Sequence, residues 1–242
     1  MRLHILGAGY GFPGISTMVE CNGKYYIFDT GAPVAELLHN EGLSLNDLQA
    51  VFISHRHGDH TTGLSTLAHM INSGYKKTGP VEVFLPEECV LTGFQQLMLS
   101  MKDAINEAKL QMKLYEPGVV YKDENITVTA IPTQHVIGGR PCNAMMIEGD
   151  GKRVIITGDL HREDPYDFPK IAQQEKTDAI ICEFEHFHTD ALLPYIKNCQ
   201  TKQFIFHHYN AAWSLEELTA LQESNILPYP VILAKNGDRI EV

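Results

Sequence analysis

Residues 50–63 read AVFISHRHGDHTTG, placing His55, His57, Asp59 and His60 within six positions directly after an apolar run. A single histidine in a loop is as readily a hydrogen-bonding partner as a ligand. Three imidazoles and a carboxylate at this spacing are different, because crowding electron-rich donors is costly unless a cation compensates them. A polar turn with no ligand role is the alternative, and it leaves the crowding unexplained. The stretch points to a divalent metal, and to hydrolytic chemistry if further donors arrive from elsewhere in the chain.

Later strand ends supply such donors. His135 stands in TAIPTQHVIGG, after an extended run over residues 126–131, and Asp159 ends the run RVIITGD. A third candidate is KQFIFHHYN, where a strand of about residues 203–206 ends in His207 and His208. Adjacent residues on a strand point to opposite sides, so one of the two faces the metals. The pattern alone does not separate them.

The elements that must position these side chains are written twice. Residues 19–31, VECNGKYYIFDTG, match residues 147–159, IEGDGKRVIITGD, at a constant offset of 128. Each copy is a strand, an Asn-Gly or Asp-Gly turn and a second strand, a strong hairpin signal. The first copy is followed by a predicted helix around 33–40 and a strand around 50–54, the second by a helix around 165–174 and a strand around 179–182. Two β-rich, pseudo-symmetric halves predict an α+β fold, a four-layer αββα sandwich of two face-to-face sheets with helices outside, whose metal-bearing loops meet at one edge. Residues 86–112 predict one or two helices with Phe94, Leu97, Met98, Met101 and Ile105 near one stripe, either packed on the core or forming a Met-rich cap that adapts to a substrate or a second subunit, as in a homodimer. Near the end, YPVILAKNGDRIEV predicts a further Asn-Gly hairpin closing a sheet edge.

Composition sets bounds on partners. With 242 residues, 44% hydrophobic and 20% charged, residues 1–242 form one expected domain with a small helical insertion at about 86–112. The 19 basic and 30 acidic residues leave a net charge of −11, with the acid dispersed. A nucleic-acid partner is therefore not expected, since it needs a basic patch, whereas a small anionic substrate can be held by the metals. The N-terminus lacks the apolar core of a signal peptide, and no stretch approaches eighteen consecutive apolar residues, so a cytoplasmic protein without a membrane partner is expected. Cys21, Cys89, Cys142, Cys182 and Cys199 are scattered without a CxxC pair, which suggests core residues rather than disulfides or a zinc knuckle.

HxHxDH, together with the later His and Asp, resembles the signature of the metallo-β-lactamase fold superfamily of metal-dependent hydrolases, along nearly the whole chain. The resemblance implies that His55, His57 and His135 hold one metal, that Asp59, His60 and a final histidine hold a second, and that Asp159 bridges both. QFIFHH places His208 at the family's final ligand position. Asp29, in YYIFDTG, resembles an acidic residue beneath the site that orients neighbouring loops. Two divalent cations are implied, of which zinc suits an imidazole-rich set and manganese or iron are the alternatives. Such a pair lets water act as hydroxide, which Asp59 helps orient. The nearest branch is that of the phosphodiesterases and transfer-RNA 3′-processing endonucleases, where a histidine lies 22 positions before the last ligand. His186 lies 22 before His208 in ICEFEHFHTD, and the resemblance makes it the acid that protonates the leaving oxygen. Its surroundings depart from the endonuclease pattern, with His-Phe-His in place of His-Ser-Thr and no long Gly- and Pro-containing arm. The expected activity is hydrolysis of small phosphodiesters, cyclic or nucleotide-like, with thioester or lactone hydrolysis and a non-catalytic metal-containing binding domain as alternatives.

Overall fold

The computed structural model describes residues 1–9, 14–209 and 212–242. Two turns with the same backbone organise it. Asn22 and Gly23 have φ of 51° and 72°, and Asp150 and Gly151 have 52° and 67°. Positive φ at both central residues is what a two-residue type I′ hairpin requires.

One sheet contains β1 (Arg2–Ala8), β2 (Ile15–Cys21), β3 (Lys24–Phe28), β4 (Leu48–Phe52), β5 (Val81–Leu85) and β6 (Leu110–Leu114). The other contains β7 (Gly118–Lys122), β8 (Thr127–Pro132), β9 (Asn143–Gly149), β10 (Lys152–Ile156), β11 (Ala179–Glu183), β12 (Phe204–His207) and β13 (Val231–Leu233), and β14 (Arg239–Glu241) returns to the first. Their orders are β14-β1-β2-β3-β4-β5-β6 and β7-β8-β9-β10-β11-β12-β13. In both, the pairings run antiparallel up to the hairpin (β2/β3 or β9/β10) and parallel beyond it. The two halves are thus pseudo-symmetric in topology.

Alternation along the strands makes the layers. Tyr26, Phe28, Ala50 and Phe52 point between the sheets, where they join Val128, Ile147, Val154 and Ile181. Ile27, Val51 and Val83 point the other way, under α1 (Val34–Asn40), α3 (Leu64–Asn72) and α4 (Glu88–Ser100). Ile155, Ile180 and Phe206 do the same under α5 (Ile171–Gln174), α6 (Thr189–Ile196) and α7 (Ala212–Ser224). The one-turn α2 (Gly58–Thr61) belongs to the site. Phe28, Phe52 and Phe84 lie side by side at the ends of β3, β4 and β5, with ring centroids 5.0 Å apart in each stacked pair. Such pairs contribute about 0.5–1.5 kcal/mol beyond their burial, and this row fixes the strand ends from which the site loops depart.

Three elements differ from the sequence reading. The helix expected over 165–174 is only Ile171–Gln174, because Pro165 and Pro169 interrupt anything earlier. Of residues 86–112 the helix covers Glu88–Ser100, and the last three residues enter β6. Phe94 and Met98 are buried, but Leu97 and Met101 are nearly half exposed, so the core-facing stripe is narrower than the pattern suggested. The terminal Asn-Gly segment is not a hairpin: β13 pairs with β12 in one sheet and β14 with β1 in the other. Asn236 and Gly237 bond to β1, through Ala8 N–H to Asn236 Oδ1 and Gly237 N–H to Ile5 C=O, and carry the chain across the sandwich.

All five cysteines are free, four of them buried. Among the described residues no helix is long and apolar enough to cross a membrane.

Candidate metal centre

All the site loops but that of His135 leave from the C-terminal ends of strands in the parallel parts of the two sheets. The β4 loop supplies His55, His57 and, through α2, Asp59 and His60; β10, β11 and β12 lead to Asp159, His186 and His208. His135 follows β8, which pairs antiparallel with β9 and so runs in the same direction as β10 and ends at the same edge of the sheet.

The structure brings these donors into adjoining groups. His55, His57, His135 and Asp159 offer ligand atoms within 4.8 Å of one another, as do Asp59, His60 and His208. Asp159 connects the groups. Its Oδ2 is 3.6 Å from His55 Nε2 and 3.4 Å from His135 Nε2, while its Oδ1 is 3.3 Å from His60 Nε2 and 3.5 Å from His208 Nε2. Asp59 Oδ2 is 3.5 Å from His208 Nε2. His208 therefore lies inside the constellation, and His207 belongs to none of these groups. A left-handed backbone at His208, φ 49°, turns the chain at that point, and its N–H donates to Ala8 C=O.

These donors fit cations for a reason visible in the hydrogen bonding. Nε2 of His55, His60, His135 and His208 and Oδ1 of Asp159 are buried without a hydrogen-bond partner. A buried polar atom left unsatisfied costs about 1–3 kcal/mol, so five facing one another demand a shared partner. The opposite ring nitrogens of three of these histidines are already engaged. His55 Nδ1 meets Ser54 Oγ at 3.0 Å, His60 Nδ1 meets Asp29 Oδ2 at 2.7 Å, and His135 Nδ1 donates to Leu160 C=O at 2.9 Å. Fixing Nδ1 in this way directs the Nε2 lone pair inward, as metal-ligating histidines require.

Asp29 is the buried organiser of the first half. At φ 59° it accepts from Ser54 N–H (2.7 Å), Ser54 O–H (2.8 Å) and His60, tying the end of β3 to the HxHxDH loop. Close backbone approach completes the fit. A Cβ on Gly31 would lie 1.4 Å from the carbonyl oxygen of Asp59, a position open only to glycine.

The charges are strongly perturbed. Burial works against the Asp159 carboxylate, but the positive ends of His60, His208 and His55 outweigh it and hold its pKa well below the usual carboxylate range. Burial, aided by His60, pushes His55 well below an ordinary histidine. His207, fully enclosed and beside His208, is pushed down to about 3, so it is a neutral core residue at any ordinary pH.

His186 adjoins this centre: it belongs to neither of these two groups, but its ring nitrogens come within 4.8 Å of donors of Asp159 and His208, and of His135 and Glu183. Its ring lies 4.4 Å from that of His135 and 5.5 Å from that of His208. Its Nδ1 donates to Glu183 Oε2 at 2.7 Å. Burial disfavours the charged ring, yet the hydrogen bond and charge of Glu183, with Asp159, raise its pKa overall. Glu183 is a site residue to which the sequence pattern assigned no role. Fully buried, it also accepts from Leu160 N–H (2.7 Å) and Glu185 N–H (3.1 Å), and so joins the Asp159 loop to the His186 loop. The signal was present in CEFEH, an acid three residues before a histidine at the end of an apolar strand.

Comparison with known proteins agrees with this geometry. The family model described as Anti-Pycsar protein Apyc1 matches residues 1–224. Ribonuclease Z of Halalkalibacterium halodurans is 27% identical over 161 residues, covering 63% of this chain and 50% of that protein. The chain spans about half the length of the curated relatives it matches. Among solved structures, the metallo-β-lactamase fold protein YhfI from Bacillus subtilis superposes with a TM-score of 0.79 at 17% identity, over 99% of this chain and 98% of that one. The short form of human tRNase Z gives 0.75 at 18% identity, over 100% and 99%. The fold is that of the metallo-β-lactamases.

Proposed function

Since the chain belongs to the Anti-Pycsar protein Apyc1 family, we propose that it is a metal-dependent hydrolase of small phosphodiesters. The observation that carries this reading is His186, a histidine held by Glu183 beside seven other donors that form two groups without it. Hydrolysis of a thioester needs no separate acid there, since a thiolate leaves readily. Expulsion of an alkoxide from phosphorus does, because an alkoxide leaves poorly without a proton.

Two cations are proposed, one held by His55, His57 and His135, the other by Asp59, His60 and His208, with Asp159 shared. Zinc is the proposed metal, since five of these seven donors are imidazoles. When bound, such a pair supplies hydroxide at neutral pH and neutralises charge on the attacked phosphoryl group. The chain's residues do the rest. Asp59, exposed enough to reach solvent, orients the attacking water and accepts its proton. A P–O bond forms to the water oxygen, the P–O bond to the alcohol breaks with its electron pair leaving on that oxygen, and His186 protonates it from Nε2. Glu183 holds Nδ1–H and keeps the ring aimed. The products are a phosphomonoester and an alcohol.

A small substrate is favoured over a polynucleotide by the charge around the mouth. Arg56 and Arg140 are both turned to Glu87, at 3.7 and 3.3 Å, at the start of α4, and the −11 net charge offers no phosphate-backbone track. The test is to strip the protein with a chelator, reload it with zinc, manganese or iron, and assay alkyl and nitrophenyl phosphodiesters, cyclic nucleotides, a thioester and a lactone. Two metals per chain and metal-restored cleavage of phosphodiesters are expected. Turnover confined to the thioester or lactone would overturn the reading.

A further inference from the structure

The chain has six arginines, and five of them lie within 4.0 Å of a carboxylate: Arg2, Arg56, Arg140, Arg153 and Arg239. Arg162 is the exception. Among the described residues its guanidinium has neither a hydrogen bond nor an ion pair. Arg162 is exposed, and it is also the arginine closest in sequence to Asp159. It lines a cleft of about 790 Å³ that opens onto His135 and is bounded by residues 133–140 and by His161, Glu163 and Tyr166.

The backbone carrying Arg162 is tied down on both sides. Leu160 N–H donates to Glu183, and Leu160 C=O accepts from His135. His161 N–H donates to the Asp167 carboxylate at 3.0 Å, and that carboxylate also accepts from Gln134 N–H at 2.6 Å. Glu163 N–H donates to the carbonyl of His186 at 2.9 Å, from a left-handed conformation of φ 68°. A non-glycine residue held there is strained and persists only where its surroundings over-determine it. The segment is therefore fixed to the His135 loop and the His186 loop at once, with Arg162 between.

Resting on the phosphodiesterase reading, we infer that Arg162 is a catalytic residue whose guanidinium donates to the non-bridging oxygens of the phosphoryl group and stabilises the charge on them in the transition state. Exposed at the cleft and held by no carboxylate, this cation is free to meet a phosphoryl group there. A planar fork of N–H donors matches two phosphoryl oxygens better than an ammonium does. Neither bond making nor proton transfer runs through it, so its contribution is independent of the leaving group, in contrast to that of His186.

The test uses the metal-loaded full chain and the variants Arg162→Ala and Arg162→Lys, on a nitrophenyl and an alkyl phosphodiester. Arg162→Ala is expected to keep both metals and its melting temperature, to lose about 100- to 1,000-fold in kcat/KM, the usual cost of removing one such donor, and to lose equally on both substrates. Added guanidinium should restore activity to Arg162→Ala at least about tenfold without affecting wild type, and Arg162→Lys should recover only part of it. Binding of inorganic phosphate, followed by calorimetry, should weaken in Arg162→Ala. An active wild type with Arg162→Ala within threefold of it overturns the inference alone, as does a loss that tracks the leaving group, follows the metal content or resists guanidinium. A wild type that cleaves no phosphodiester removes the substrate class and this role together.

Discussion

The two halves place a carboxylate at opposite corners of the same joint. In the first half Asp29 ends β3 and accepts from the N–H of Ser54 beyond β4. At the matching corner of the second half Thr157 ends β10 and accepts through Oγ1 from the N–H of Glu183 at the end of β11. The neighbouring backbone bonds correspond too, Asp29 N–H to Phe52 C=O and Thr157 N–H to Ile181 C=O. One joint has its acid on the hairpin strand and uses it to aim His60; the other has its acid on the next strand and uses it to aim His186. Two residues on, the first half has Gly31 where the second has Asp159. Matching scaffolding thus delivers a dense cluster of donors from one loop and single functional groups from four. Topology decides where side chains can converge, and the residue types at each corner decide what they do there.

Breaking the centre of the second half should have the largest effect. Asp159→Ala removes the carboxylate that reaches all four Nε2 atoms, leaving cations poorly compensated. We expect fewer than two metals per chain and no measurable turnover, checked by elemental analysis alongside the phosphodiester assay. Two retained metals with near-normal activity would contradict its bridging place.

Breaking the matching position of the first half should damage the fold instead. In Gly31→Ala a methyl would lie 1.4 Å from the Asp59 carbonyl oxygen, so backbone must move, at a cost of about 3 kcal/mol or more. In a chain of this size that lowers the melting temperature by roughly 10 °C. A melt within 2 °C of wild type would show that the Asp59 loop yields more easily than its packing implies.

Glu183→Gln tests the other joint more gently. The amide presents N–H where a carboxylate accepted from His186 and Glu185, so the ring loses the partner that stabilises its charge. A loss of about 10- to 100-fold on alkyl diesters, typical of an outer hydrogen-bonding partner, is expected with both metals in place. Unchanged kinetics would make Glu183 a packing residue.

The smallest effect lies away from both joints. Gly93 sits in α4 with no atom within 4 Å of an added Cβ. Gly93→Ala should stabilise the protein by about 0.4–1 kcal/mol, read as a rise of a degree or more in a thermal melt, and leave turnover untouched. A drop in turnover would tie α4 to the site.

Local patterns foretold much of this. HxHxDH is dense enough to announce itself, and the Gly-turn hairpins revealed the duplicated scaffold because their signal is confined to a few residues. What the sequence hid depended on distant partners. The pairing of β13 and β14 with different sheets cannot be read from an Asn-Gly turn, since three-residue strands take their identity from the neighbour they join. His208 and His207 are separated by a left-handed residue rather than by composition. Glu183 looks like the end of an apolar strand until the loops at Leu160 and His186 close around it. Arg162, too, is distinguished by what surrounds it, and by what does not.

The role of His186 is the central claim, and one comparison tests it most directly: kcat/KM of His186→Ala against wild type on an alkyl and a nitrophenyl phosphodiester, with metal content measured on the same samples. We expect two metals retained, a loss of roughly 100- to 10,000-fold on the alkyl ester, the usual contribution of a general acid, and a much smaller loss on the nitrophenyl ester, whose leaving group needs little protonation. Equal losses on the two substrates, or a missing metal, would contradict it.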